Sequence, residues 1–213
     1  MRYTQHMRAF IQTRKPYLAA HQRKPNSAFF LALVVFCIHF STFGAAQEVA
    51  RQSKAEINAQ LLLQRLSEAG PEDATRIARQ IKRNWARSGS ASTDLLLKRG
   101  NDALKAKKPR IALEHLTALT DHAPNFAEGW HMRASAFYQQ DMYGPAVADL
   151  EQALRLNPFH FDAIQGLGAV FEQLGDHERA YEAYKQVIAI HPHHTAVLEA
   201  MERLEDKVRG PAL

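Results

Sequence analysis

The sequence predicts an all-α protein built from pairs of helices that stack one after another. Pro124, Pro158 and Pro192 are spaced by 34 residues, and each closes an apolar stretch. Within each interval, apolar residues recur at offsets of three and four, which is typical of amphipathic helices. The composition, 46% hydrophobic and 23% charged, is that of a globular chain. We therefore expect repeated helix-turn-helix units in the second half of the chain.

The first 46 residues have the layout of an export signal. A basic flank precedes ten apolar residues, Phe29 to Ile38, and the small residues Gly44 and Ala46 follow. We expect residues 1–46 to be a signal peptide that is cleaved between Ala46 and Gln47, so that the protein is periplasmic or secreted. Because about 20 apolar residues are needed to span a bilayer, this run is short for an anchor. The alternative is a membrane-tethered assembly factor that retains the segment.

Charge and cysteine content narrow the classes of partner. The first 46 residues hold six basic and no acidic residues, whereas the whole chain has a net charge of +5. The remainder is thus nearly neutral, and we expect no nucleic-acid partner, and membrane contact only if the N-terminal segment stays uncleaved. Cys37, the single cysteine, lies in the apolar segment, so the mature chain has no disulfide and no thiolate metal site. Met7 is an alternative start to Met1.

Residues 47–92 are predicted to form an N-terminal helical hairpin and a linker. The chain breaks at Gly70-Pro71, and proline suits the first turn of the helix that follows. A degenerate fourth repeat is an alternative interpretation of this hairpin. One face of its second helix carries the apolar residues Ala74, Ile77, Ala78, Ile81 and Trp85.

Five columns of residues recur in register at the 34-residue interval. Small residues allow two helices to approach closely, and proline ends the second helix of each unit because it lacks an N–H group. We interpret all five columns as packing positions. They are Gly100, Ala134 and Gly168; Ala112, Ala146 and Ala180; Leu116, Leu150 and Tyr184; Leu119, Ala153 and Val187; and the three prolines.

This pattern resembles the tetratricopeptide repeat family. The middle unit matches its signature at Trp130, Ala134, Phe137, Ala146, Leu150, Ala153 and Pro158, with Arg133 as the exception. The resemblance implies a right-handed α-solenoid with units at 93–126, 127–160 and 161–194. Residues 195–213 then form a capping helix and tail, as a terminal repeat needs a polar outer face.

The resemblance also implies a function. Proteins of this family use the first helices of their units to form a concave groove that binds a peptide or a partner's helix. We therefore expect a non-enzymatic adaptor, without cofactor, that binds a segment of an envelope protein. The groove is expected to consist of Asp94, Leu97, Asn101, Lys105, Glu128, His131, Ser135, Gln139, Asp162, Gln165, Ala169 and Gln173.

A simpler role is open for three of these residues. Asp94, Glu128 and Asp162 each stand at the start of a predicted helix, where the helix dipole stabilises a carboxylate without any ligand. The two roles are compatible with each other.

One ligand class of the family is excluded by the residues. Some members hold the acidic tail of a cytosolic chaperone in a groove lined by amides and cations. Asn101 fits that arrangement, but four further positions supply no cation. We therefore do not expect chaperone-tail binding. The four positions are Leu97, Met132, Asp162 and Gly166.

No metal site or catalytic motif is predicted. His191, His193 and His194 suggest metal binding, but no three or four ligands share one helical face. The segment Gly166 to Phe171 lacks the last glycine of a dinucleotide-binding loop, and no predicted strand precedes it. A weak histidine-based metal carrier is the remaining alternative.

Overall fold

The structure, a computed structural model, describes residues 57–209. The predicted signal peptide, residues 47–56 and the tail from 210 onward lie outside this range. The described residues form nine α-helices, none of them long and apolar enough to cross a membrane. They are α1 (57–68), α2 (Pro71–Trp85), α3 (Ala91–Lys105), α4 (Pro109–His122), α5 (Ala127–Tyr138), α6 (Tyr143–Leu156), α7 (Phe161–Gln173), α8 (His177–Ile190) and α9 (Thr195–Arg209).

Helices α3 to α9 pack in sequential order. Each packs beside the next, and α5 also contacts both α3 and α7. The first helices of the three pairs, α3, α5 and α7, therefore lie together on one face. The predicted all-α fold of stacked helix pairs is confirmed.

The helix ends have local causes. Helix α3 begins two residues before the predicted unit because the side chain of Ser90 accepts a hydrogen bond from the Thr93 N–H. Pro71 and Pro109 stand in the first turns of α2 and α4, where no N–H donor is lost.

The turns between the two helices of each pair share one backbone conformation. Lys107, Asp141 and Gly175 all have positive φ, at 55°, 57° and 77°. These residues are spaced by 34, so the repeat is recorded in the backbone as well as in the packing.

The small residues of the repeat lie where helices meet. A Cβ atom on Gly100 would overlap the side chain of Leu116, and one on Gly168 would overlap the ring of Tyr184. The three alanines of the second helices, Ala112, Ala146 and Ala180, are completely buried. These positions act in packing, as the periodicity indicated.

The hairpin formed by α1 and α2 does not extend the stack. A fourth repeat ahead of α3 would pack along α3, and α2 does not do so. Instead, Leu66, Ile77 and Ile81 share a buried cluster with residues of α7, α8 and α9 such as Phe161 and Val197. The arrangement differs from a degenerate repeat because the aliphatic face of α2 is covered by the other end of the stack.

Candidate partner-binding groove

A cleft opens on the face of the first helices, between α5 and α7. Its volume is about 250 Å³. The cleft has room because two of the three residues that α7 contributes, Gly166 and Ala169, are small; the third is Val170. Its wall is mainly apolar, with hydroxyl, amide and imidazole groups at the margin. The lining residues are His131, Ala134, Ser135, Tyr138, Gln139, Leu150, Gly166, Ala169 and Val170.

Four of the predicted groove residues meet at this cleft: His131, Ser135, Gln139 and Ala169. The hydroxyl of Ser135 donates to the carbonyl oxygen of His131 at 3.1 Å, which fixes its direction. Sequence reasoning missed Tyr138, Gly166 and Val170. They lie one turn from predicted residues on the same helices, so a wider helical face would have included them.

The predicted residues on α3 do not reach the cleft. Leu97 is only 7% exposed and belongs to the core around Leu116, so its assignment to the groove is corrected. Full burial of a leucine side chain stabilises a fold by about 1.5 to 3 kcal/mol, so this position acts in packing. Asn101 is half-buried and Lys105 is exposed.

Asp94 acts at the start of its helix. Its Oδ1 accepts hydrogen bonds from the backbone N–H and the hydroxyl of Ser88, at 2.9 and 2.6 Å. The hydroxyl bond and the backbone bond together lower the pKa of Asp94. This carboxylate ties the linker to α3. On α7, Gln165 is half-buried and Gln173 is exposed, and neither lines the cleft.

Below the cleft, Glu128 lies between two histidines. Its Oε2 accepts a hydrogen bond from His160 Nε2 at 2.9 Å and lies 3.6 Å from His131 Nδ1. Burial raises the pKa of Glu128, but the two histidines outweigh it and lower that pKa to about 2. Burial lowers the pKa of His131, but the adjacent Glu128 carboxylate outweighs burial, so that this pKa is raised. For His160 burial dominates, and its pKa is lowered.

These three side chains bring potential metal ligands together. Their nitrogen and oxygen atoms lie within 4.8 Å of one another. However, Nδ1 of His160 accepts a hydrogen bond from the Ala163 N–H at 3.2 Å, so the ring proton belongs on Nε2. A metal ion at Nε2 would move that proton to Nδ1, against another donor. The geometry therefore favours a hydrogen-bonded network. Sequence spacing missed it because His160 is far along the chain from Glu128.

The carboxylate of Asp162 forms an ion pair with a lysine of α2. Lys82 Nζ lies 2.7 Å from Asp162 Oδ1 and 5.4 Å from the centre of the Phe161 ring. The Trp85 ring stacks on His160, with ring centres 4.4 Å apart, and contacts Phe161 at 4.9 Å. The sequence pattern placed Trp85 on the apolar face of its helix, but periodicity alone does not identify its distant partners.

Comparison with known proteins agrees with this architecture. A sequence profile of the tetratricopeptide repeat matches residues 97–144 and 131–194. A TPR repeat-containing protein of Rhizobium etli is 30% identical over 151 residues, which cover 71% of this chain and 74% of the relative. The chain belongs to the tetratricopeptide repeat (TPR) family. The family is a repeat scaffold whose members are generally non-enzymatic.

Solved TPR structures share the fold. The Sgt2 TPR domain from Aspergillus fumigatus is 26% identical with a TM-score of 0.53, over 58% of this chain and 88% of that domain. The first TPR of Spaghetti (RPAP3), solved with the HSP90 peptide SRMEEVD, is 23% identical with a TM-score of 0.55. The match covers 57% of this chain and 96% of that one, and shows the fold. TPR proteins of this fold thus include peptide-binding modules.

Proposed function

We propose that this TPR protein is an exported, non-enzymatic adaptor whose groove binds a peptide segment or a helix of another envelope protein. The observation that carries the proposal is the cleft between α5 and α7. It is open and apolar, and polar groups at its margin are available to orient a peptide. An apolar side chain of the partner enters the cleft, while Ser135 and Gln139 border the bound backbone.

The cleft chemistry favours an internal segment over an acidic tail. None of its nine lining residues is a lysine or an arginine. Chain-terminal carboxylates would therefore lose water without gaining an unpaired cation, because the imidazole of His131 already lies beside Glu128. The HSP90 peptide held by the Spaghetti TPR is acidic, so the ligand proposed for this groove differs in chemistry from that one.

Export rests on the sequence of the N-terminal segment. A basic flank, the apolar run Phe29 to Ile38 and the small pair Gly44 and Ala46 fit a cleaved signal. A mature chain without cysteine is also suited to an oxidising compartment, because it has no thiol to mispair.

The test is site-specific photo-crosslinking in cells. A photo-reactive residue at Gln139 is expected to capture one discrete envelope protein, and the captured adaptor is expected to begin at Gln47 by intact mass. Ala169→Phe fills the cleft and should reduce the crosslinked yield at least tenfold. The matched control is Gln186→Phe, which adds the same ring at an exposed position of α8 that does not line the cleft.

Two results would contradict the proposal. One is a yield from the Ala169→Phe protein equal to that from the Gln186→Phe control. The other is a recovered protein that retains residues 1–46, which would favour the membrane-tethered factor.

A further inference from the structure

Helix α2 covers a surface that continues the groove. Trp85 stacks on His160, and the ring of His160 lies 4.8 Å from that of His131, which lines the cleft. Lys82 pairs with Asp162, in the first turn of α7. The C-terminal half of α2 thus lies next to the cleft and over the start of α7.

The covered surface has its own chemistry. It combines flat aromatic rings with one carboxylate, a combination that suits an aromatic side chain and a cation from the same helix. Phe161 is fully buried at its centre, between Trp85 and His191. The cation of Lys82 reaches both the carboxylate of Asp162 and the Phe161 ring.

Helix α2 is held on this surface by side chains. It does not pack closely along a helix of the array in the way that α3 to α9 pack against one another. A linker with Gly89 at φ 82° joins α2 to α3, a conformation that allows the chain to change direction. The aliphatic face that α2 contributes to the shared buried cluster consists of Ala74, Ile77, Ala78 and Ile81.

We propose that α2 is an intramolecular occupant of this end of the groove, and that the surface beneath it also binds a partner helix of the same kind as α2. Such a helix carries an aliphatic stripe that ends in a lysine and a tryptophan three residues apart. The hairpin and the partner then compete, so the hairpin sets how much of the groove is open. This inference rests on the proposed function in that the array is a partner-binding surface.

A synthetic peptide of residues 71–87 is the probe, because it carries the pattern of α2 itself. The full-length protein should bind the fluorescent peptide weakly, since its own α2 fills the surface. The double variant Lys82→Glu/Trp85→Ala removes the ion pair and the stacked ring, and is expected to bind the peptide at least tenfold more tightly. Fluorescence anisotropy measures both affinities.

Matched controls separate recognition from general stickiness. Arg83→Glu changes a neighbouring exposed residue of α2 and should leave peptide binding at the level of the unchanged protein. A peptide with the same two substitutions as the double variant should not bind. Equal binding of both peptides, or no gain for the double variant, would overturn the proposal.

Hydrogen exchange tests the inference without any variant. The amides of α2 are expected to exchange at least tenfold faster than those of α7, because α2 opens while the array stays folded. Equal protection of α2 and α7 would mean that the hairpin opens only when the whole protein unfolds, and would overturn the proposal.

The two proposals can fail separately, because the peptide contacts His160 to Asp162 and not the cleft. Equal crosslinked yields from the Ala169→Phe and Gln186→Phe proteins would contradict the proposed function. The peptide-binding and hydrogen-exchange measurements decide the role of α2.

Discussion

Arg133 departs from the repeat signature and has a structural reason. Its guanidinium forms two hydrogen bonds with the carboxylate of Asp149, both 2.7 Å long, and a third with the Thr120 hydroxyl at 2.8 Å. It also lies 4.7 Å from the centre of the Trp130 ring. Asp149 is only 5% exposed, so this arginine neutralises a charge inside the stack.

Removing one partner of this pair is expected to destabilise the fold strongly. Arg133→Met leaves Asp149 buried without a counter-charge, and we expect the free energy of unfolding to fall by about 3 kcal/mol. Chemical denaturation monitored by circular dichroism measures the loss.

The double variant Arg133→Met/Asp149→Leu serves as the control, since it removes both charges. It should recover most of the lost stability. A single variant within 1 kcal/mol of the unchanged protein would show that the pair is not buried as described, and so would a double variant no better than the single one.

At the scale of single helices, the glycines of the repeat are fixed by contact and not by flexibility. Alanine normally stabilises the interior of a helix by about 1 kcal/mol over glycine. At Gly168 a methyl group would overlap the aromatic ring of Tyr184, which is 4% exposed and donates a hydrogen bond to Glu172. This ring has little room to move.

We therefore expect Gly168→Ala to destabilise the protein by about 1 to 3 kcal/mol, against the intrinsic helix preference. Thermal unfolding gives the measurement. Gly144 lies in the first turn of α6, where a Cβ atom would meet nothing within 4 Å apart from its chain neighbours. Pro145 follows it and disfavours the helical conformation for a residue with a Cβ atom, so Gly144→Ala is expected to cost some stability but less than Gly168→Ala. A Gly168→Ala protein as stable as the Gly144→Ala protein would contradict the packing role.

The helices that could be predicted from sequence are those that repeat. Three copies of the same spacing average out local exceptions, so the pairs around Ala112, Ala146 and Ala180 were predictable. The positive φ of Lys107 and Asp141 was not predictable, because neither residue is the glycine that usually marks this conformation.

The site was predictable only in part. Residues such as His131 and Ala169 follow from the resemblance to the repeat family, which implies that the first helix of each unit lines the groove. The placement of α2 does not, because the contact of Trp85 with His160 joins residues far apart in the chain and leaves no periodic trace. The assignment of Leu97 to the groove was wrong, because the position of a residue within the repeat gives the direction of its side chain but not how deeply its neighbours bury it.

At the scale of the whole molecule, stability is expected to depend on pH through the buried histidines. Burial, with His194 and Lys82 nearby, lowers the pKa of His191 from 6.5 to about 4, despite the opposing charge of Asp162. Burial also lowers the pKa of His194. The unfolded chain binds these protons at higher pH than the folded one, so acid favours unfolding. Stability from His191 is complete above about pH 6.5 and is lost as the pH falls toward 4.

We expect His191 to contribute a loss of up to about 1.4 kcal/mol per pH unit in this window. Its contribution is the difference between the unchanged protein and His191→Leu in urea unfolding at pH 7 and pH 4.5. His131, whose pKa is raised, acts in the opposite direction but is present in both proteins. Glu128 remains ionised until about pH 2.

His193 is exposed and provides the control, because His193→Leu should keep the full loss between pH 7 and pH 4.5. If His191→Leu loses as much stability as His193→Leu over this range, the neutral buried state of His191 is wrong.

The contact of Trp85 with His160 and Phe161 also constrains how the protein is made. A repeat array in which each helix contacts only its neighbours in sequence can fold helix by helix as the chain leaves the ribosome. Here the earliest helices wait for docking residues that are synthesised about 75 positions later, and closing so long a loop slows folding. During that interval the aliphatic face of α2 is exposed, and we expect a chaperone or a neighbouring chain to bind it transiently.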